Sequence, residues 1–380
     1  MGGVPAPTLP GTPPRPRTQL HARLQSDLDA VAAEWDALAR ASNAHPFARP
    51  GWIRAWAEAF ADPGALVFAV ARDPRGLAAL IPFSATGGVL GTPANWHTPE
   101  VAAVGGPDAV RCALDAALET RPRRIVFRFV PDETADVVRP ALAAAGYRTL
   151  ERTLQVSPFV RLDARRPETD LGASTATRGD LGRKWRRLGE LGSLEVDDRD
   201  GTIDLQGALD EGFRLEGSGW KEAAETAIVS HESTRRFYSQ IAAWAATDGL
   251  LSLAFLRLGG RAVAFQFGLR TEREYYFLKG GYDPAYARYS PGRLLHARML
   301  ERMQARGVER YEFLGDTESY KRTWPYESRR FLELVGYQRS PAGAVDLWLT
   351  GRAPAALRRV RTVALRVRAG IRRRRAPTAR

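Results

Sequence analysis

Residues 274–324 read EYYFLKGGYDPAYARYSPGRLLHARMLERMQARGVERYEFLGDTESYKRTW. The stretch opens as a strand, turns through Asp283-Pro284, and resumes as a helix that Gly307 ends as a C-terminal stop. A second strand, VERYEFLG, follows, and one crossover helix between two strands makes them parallel neighbours. Ser290, Pro291 and Gly292 suit the helix start: a capping hydroxyl, a residue with no N–H to leave unpaired, and a backbone that can be closely approached. Arg293 fits less well. A cation in the first turn opposes the helix dipole at a cost of about 0.3–1 kcal/mol unless an anion shares the site. Phosphate at a helix N-terminus is one resolution, and a guanidinium turned to solvent or paired with a carboxylate is the other.

Outward from this stretch the chain falls into two halves of similar element order. Residues 1–20 are Pro-rich without an apolar run, which predicts an extended or disordered segment and argues against a secretory signal. The first half, 21–164, reads as two helices (one through 27–41), a hairpin about Asp73-Pro74-Arg75-Gly76, and a loop at Asn95-Trp96-His97. A helix (108–119), a strand, a helix (134–145) and two short strands, 147–156 and 159–162, complete it. His97 is either a chemical group or a structural histidine. The second half, 165–347, has a basic helix bearing Arg183, Lys184, Arg186 and Arg187, a strand, and helices at 202–215 and 234–246. Next come a hairpin across Gly259-Gly260 and the deciding stretch. The pattern predicts an α/β (α+β) protein with a duplicated architecture of two mixed sheets flanked by helices. The helix of the first half starts Gly106-Pro107-Asp108, whose acid would repel phosphate, so an anion site is expected in the second half alone.

The net charge of +13 is concentrated in a tail. Residues 352–380 carry eleven Arg and no acid, which leaves only two of those charges to the remainder. The body therefore needs no polyanion and no DNA partner is expected. The tail, 348–380, is either a basic amphipathic helix on Leu357, Val360, Ala364, Val367 and Ile371, suited to an anionic membrane, or a solvated arginine-rich end. The single cysteine, Cys112, excludes a disulfide framework, no Cys/His spacing suggests a metal, and a cytoplasmic location, peripheral to the membrane at most, is expected. Only four cations are Lys: Lys184, Lys221, Lys279 and Lys321.

WKEAAETAI, LKGGYDPAYARYSPGRLL and YEFLGDTESYKRTW resemble signatures of GNAT-superfamily acyltransferases of the CelD type, themselves similar to the Fem-type peptidyltransferases. The resemblance implies paired GNAT-like domains and transfer of an acyl group from acetyl-CoA to an amine or hydroxyl of a small-molecule or glycan acceptor, in polysaccharide or envelope metabolism. It implies a pyrophosphate cradle at Tyr289, Ser290, Gly292 and Arg293, with the acyl arm along Lys279, Gly280 and Gly281. The glycine pair independently suggests a bulge or close backbone approach. The phosphate loop has fewer glycines than the family's usual one.

Direct transfer needs a neutral nucleophile, a polarised carbonyl and a proton for the leaving group. Asp316 is placed for a base, or caps its loop. Tyr320 can protonate sulfur, or pack. Lys321 can stabilise an oxyanion, or pair with Asp316. Tyr282 and Asp283 stand where an acceptor would enter, though the same residues open an ordinary turn. Trp220 and Lys221 form an acceptor clamp or a buried aromatic contact. There is no nucleophile elbow, P-loop or dinucleotide fingerprint. Two alternatives remain: a Fem-type transferase using charged tRNA, held by the basic helix and tail, and an inert acyl-CoA or polysaccharide binder.

Overall fold

A computed structural model describes residues 19–62, 64–101, 103–165, 174–218, 227–318 and 320–352. Trp220, Lys221, Ser319, the first eighteen residues and the tail from 353 lie outside them.

The first half runs β1 (His21–Gln25), α1 (Asp29–Ala41), α2 (Pro50–Phe60), β2 (Leu66–Asp73), β3 (Gly76–Thr86), β4 (Val89–Gly91), β5 (Val104–Gly105), α3 (Pro107–Glu119), β6 (Arg124–Pro131), α4 (Asp132–Ala144) and β7 (Tyr147–Arg161). The second runs α5 (Thr175–Gly189), β8 (Leu194–Arg199), α6 (Leu205–Glu216), α7 (Glu232–Thr247), β9 (Leu251–Leu258), β10 (Arg261–Arg270), β11 (Glu274–Tyr282), α8 (Pro291–Ala305), β12 (Arg310–Glu312), β13 (Glu327–Gln338) and α9 (Pro341–Asp346). Both predicted hairpins form, and the Gly259-Gly260 turn has φ of 54° and 84°, the left-handed values a two-residue hairpin requires. The edge strand β1 was not anticipated: HARLQ has too few apolar positions to signal a strand, and its pairing to β2 supplies the missing stabilisation.

The two expected sheets are one. Its order is β1-β2-β3-β4-β6-β13-β7-β12-β11-β10-β9-β8, with β5 on β3. In each half a helix joins two parallel strands: α3 connects β4 to β6, and α8 connects β11 to β12. The halves then exchange their last strands. β13 lies between β6 and β7, while β7 runs on to pair with β12. The two short strands expected between 147 and 162 are one 15-residue strand for this reason: it has partners in both halves along its length. A boundary at 164/165 therefore separates β13 in sequence from the sheet region it completes.

Side-chain alternation sends Phe265, Phe267 and Tyr276 to a core shared with α1, α2, α6 and α7, which spans both halves. Trp52 and Phe237 meet edge to face at 5.2 Å there, a contact worth about 0.5–1.5 kcal/mol beyond burial. Gly51 lets α2 lie directly on Trp244, since a Cβ would sit 2.2 Å from the indole. Ala264, Tyr275, Phe277, Tyr311 and Phe313 point the other way, under α5 and α8. Gly105 lets β5 lie close on β3, since a Cβ there would lie 2.3 Å from the Ala78 carbonyl oxygen, whereas Gly106, which precedes α3, has nothing within 4 Å of an added Cβ.

Candidate active site

The parallel pairing of β11 and β12 covers only Glu274 to Tyr276, although β11 continues to Tyr282. Beyond Tyr276 the strands separate. β11 also takes one extra residue at Leu278 against β10, where Phe267 faces Lys279 and Gly268 faces Phe277, and such a bulge increases local twist. Of the two readings of Gly280-Gly281, a bulge or a close backbone approach, the second holds, and the bulge lies at Leu278. A Cβ on Gly281 would stand 2.3 Å from the Leu215 carbonyl oxygen, and one on Gly280 would stand 2.8 Å from that of Phe265, so the close approach is to the protein's own backbone.

The separation opens into a cavity of about 980 Å3. One wall is the start of α8, with Ser290, Gly292 and Arg293; a second is β11 from Phe277 to Tyr282; a third comes from the first half, with Trp96, His97 and Gln155. Ser290 does not cap the helix as expected. Its backbone is left-handed (φ 54°), no side chain caps α8, and its hydroxyl accepts a 3.0 Å hydrogen bond from Lys184 Nζ of α5. A non-glycine residue held there costs of order 1–3 kcal/mol, a strain concentrated at functional sites. The first-turn amides have no partner within the helix and the macrodipole is positive at that end.

Arg293 stands at the same place, one-third exposed, 3.7 Å from Asp180, with its Nε buried and without a hydrogen-bond partner. Arg183 lies 2.7 Å and Lys184 3.2 Å from the same carboxylate, so three cations share one acid, whose carboxyl is held below its usual range chiefly by its Lys184 hydrogen bond against desolvation. That excess of positive charge, beside open space, fits a diphosphate. Gly292 has only Tyr282 within reach of an added Cβ, at 3.5 Å.

The expected chemical residues divide. Lys279, Gly280, Gly281, Tyr282, Tyr320 and Lys321 line the cavity together with the α8 start. Asp316 does not: its side chain is exposed and accepts from the Val156 N–H at 3.3 Å, so it stands outside as a loop-anchoring group. Lys321 is buried, and its ammonium donates to the Leu314 and Asp316 carbonyl oxygens at 2.5 and 2.8 Å, with Glu318 at 3.5 Å. Its charge thus holds the left-handed turn at Leu314 and Gly315 (φ 54° and 60°), and it pairs with the Asp316 main chain, not its carboxylate. Asp283 is likewise engaged, capping Ala285 N and pairing with Arg261 at 2.7 Å. Tyr289 packs beside the α8 core under Arg288 and is not in the lining.

Tyr320 stacks on His296 at 5.6 Å, and burial raises its phenol so that it stays protonated. His296, His97, Gln155 and Gln266 also line the cavity. Burial holds the His97 imidazole at about 4 and that of His296 at about 3, with Lys279 and Lys321 respectively adding to the effect, so both are neutral at pH 7. Gln266 was legible in principle: one amide in the apolar strand RAVAFQFGLR must find a partner if buried. His296, within LLHARML, carries no such signal, and Gln155 carries none either. Among the described residues no His, Cys, Asp and Glu are grouped to hold a metal, and no helix is long and apolar enough to cross a membrane.

Comparison with known proteins agrees with this geometry. Residues 175–322 match the Acetyltransferase (GNAT) domain family. FemX is similar in structure at TM-score 0.59 with 11% identity, over 84% of this chain and 98% of that one. A conserved protein of unknown function from Bacteroides thetaiotaomicron VPI-5482 is similar at TM-score 0.52 with 12% identity, over 83% and 99%. A tandem GNAT protein from the clavulanic acid biosynthesis pathway aligns at TM-score 0.46 with 13% identity, over 85% and 100%. No curated protein sequence matches significantly. The chain therefore has a mixed α/β fold of GNAT acyltransferase type, with the domain match confined to the half that holds the α8 cavity.

Proposed function

We propose that the protein transfers an acyl group, acetyl from acetyl-CoA, to an amine or hydroxyl acceptor. The observation that carries this reading is the uncapped start of α8, opening with Arg293 and Lys184 onto a cavity whose other wall is the freed edge of β11. The first-turn amides and the two cations would hold the diphosphate, and the β11 backbone past Tyr276 would pair with the amides of the pantetheine arm. The acceptor would enter against Trp96, His97 and Gln155, and an exposed indole there suits a sugar ring, in keeping with a glycan acceptor of polysaccharide or envelope metabolism. Calorimetry with acetyl-CoA tests the reading: micromolar binding supports it, absence of binding sinks it, and binding without turnover of any amine or alcohol leaves an inert acyl-CoA binder.

A second reading, transfer from a charged tRNA as in the Fem-type enzymes, is favoured by the FemX-like fold and by Arg183, Arg186 and Arg187 exposed along α5 beside the cavity. Salt-sensitive tRNA binding lost on neutralising those three would support it. The C-terminal end supports peripheral contact with the inner face of the cell membrane: Val345, Trp348 and Leu349 are exposed immediately ahead of the eleven tail arginines.

A further inference from the structure

Three buried side chains from three elements form one hydrogen-bonded chain against the cavity. Tyr311 of β12, fully buried and stacked on Tyr275 at 4.7 Å, donates its hydroxyl proton to Gln266 Oε1 of β10 at 3.1 Å. Its oxygen also lies 3.1 Å from His296 Nδ1 of α8. A phenol has a single proton. With that proton given to Gln266, the contact to His296 is a hydrogen bond only if Nδ1 carries the hydrogen, which fixes the neutral imidazole as one tautomer and leaves a lone pair on Nε2. The same tyrosine orients the amide. Gln266 Oε1 is occupied, while Nε2, on a residue 1% exposed, is buried without a partner and belongs to a side chain that lines the cavity. A buried unpaired amide costs about 1–3 kcal/mol unless something recovers it. Phe277, Phe313, Tyr320 and Trp324 enclose the imidazole and keep bulk water from it.

We infer that this chain sets one proton donor and one proton acceptor against the reacting acyl group: Gln266 Nε2–H holds the carbonyl oxygen and His296 Nε2 takes the proton of the attacking amine or hydroxyl. Tyr311 is the positioning residue for both. This rests on the acyl-transfer reading. The acceptor's lone pair forms the new bond to the acyl carbon, and the carbonyl π pair moves to the oxygen beside Gln266. That pair returns as the C–S bond breaks and its electrons leave on sulfur. The proton taken up by His296 then passes to the thiolate, so the products are amide or ester plus free thiol.

Nitrogen-15 NMR of the histidine-labelled full-length chain tests the assignment without turnover, and five histidines make it tractable once His296→Gln identifies the resonance. We expect His296 protonated on Nδ1 and bare on Nε2, a mixture of tautomers in Tyr311→Phe, and a shifted Nε2 resonance when acetyl-CoA is added. In transfer to a primary amine, His296→Gln should lower kcat about a hundredfold and Tyr311→Phe about tenfold, with acetyl-CoA affinity within twofold. Tyr311→Phe keeps the ring stack and guards against loss of the fold. A proton on Nε2, meaning that Gln266 is turned over and Tyr311 donates to Nδ1, overturns the inference, as does a His296→Gln kcat within threefold of the unsubstituted protein. Failure of the unsubstituted chain to bind acetyl-CoA removes the acyl-transfer reading and this inference together, and is distinguished because the tautomer is read on the free protein.

Discussion

Neutralising Arg293 should weaken acetyl-CoA binding by a calculable amount. A guanidinium about 4 Å from a phosphate charge, at an effective dielectric near 20, is attracted by about 4 kcal/mol. Asp180, 3.7 Å from Arg293, takes part of that field, and the side chain is about one-third open to screening water. Half of the attraction, about 2 kcal/mol, is a fair net figure, so Arg293→Met should raise the Kd for acetyl-CoA about thirtyfold. Charge reversal in Arg293→Glu removes one attraction and adds one repulsion, for roughly a thousandfold loss. Stability should hardly change, because the Arg293–Asp180 pair is long and partly exposed and such pairs contribute at most about 1 kcal/mol. Titration calorimetry with unsubstituted, Met and Glu proteins measures the series. Arg298→Met is the control for net charge, since that guanidinium lies over Trp185 and pairs with Glu301 away from the cavity. A Met variant within threefold of the unsubstituted protein, or an equal loss in Arg298→Met, would refute the diphosphate role.

Gly281→Ala should cost about 1–3 kcal/mol or more in urea denaturation, because its Cβ would meet the Leu215 backbone at 2.3 Å. Gly292→Ala, with only Tyr282 at 3.5 Å, should keep the denaturation midpoint yet weaken donor binding, and a lowered midpoint would show that its open side is filled by protein. His296 stays neutral down to about 3 when folded, against an ordinary 6.5, so the unfolded chain takes up its proton first and stability is lost as pH falls from 6.5 towards 3. Glu312, pushed up to about 7 by burial, contributes with the opposite slope between 4.5 and 7, so the diagnostic is a difference. Relative to the unsubstituted protein, His296→Gln should flatten the acid limb by up to about 1.4 kcal/mol per pH unit, and parallel curves would contradict a buried neutral His296. Vesicles of phosphatidylglycerol and phosphatidylcholine should sediment the full chain, less so at high salt and less so for Trp348→Ser; equal binding to neutral vesicles, or none, would count against the membrane reading.

The deciding stretch was readable because its signals are local. Strand alternation, a Ser-Pro-Gly start and a glycine stop specify strand, helix and strand within fifty residues, and the right-handed crossover then makes β11 and β12 parallel neighbours. From the same letters came the unusual position of Arg293 and the contrast with the acid at the start of α3. The resemblance to GNAT proteins added the acyl donor.

Two placements turn on burial and backbone packing, which the residue types do not record. Lys321 reads in YKRTW as an oxyanion partner or a partner of Asp316, and its buried ammonium donates to the nearest carbonyl oxygens, that of Asp316 among them, with the Glu318 carboxylate at 3.5 Å. Gly280 and Gly281 line the cavity, but the space that their missing side chains leave is taken up by the backbones of Phe265 in β10 and Leu215 in α6.

The sequence by itself determined most of the helices, both hairpins and the strand, helix and strand of the deciding stretch, since each depends on residues within a turn or two of one another. Only the tertiary structure decided that β7 and β13 change places, that Lys184 reaches Ser290, and that His97, Gln155, Gln266 and His296 face one cavity. Those placements follow from how two apolar sheet faces are buried at once, a condition on the whole chain that no local pattern of side chains records.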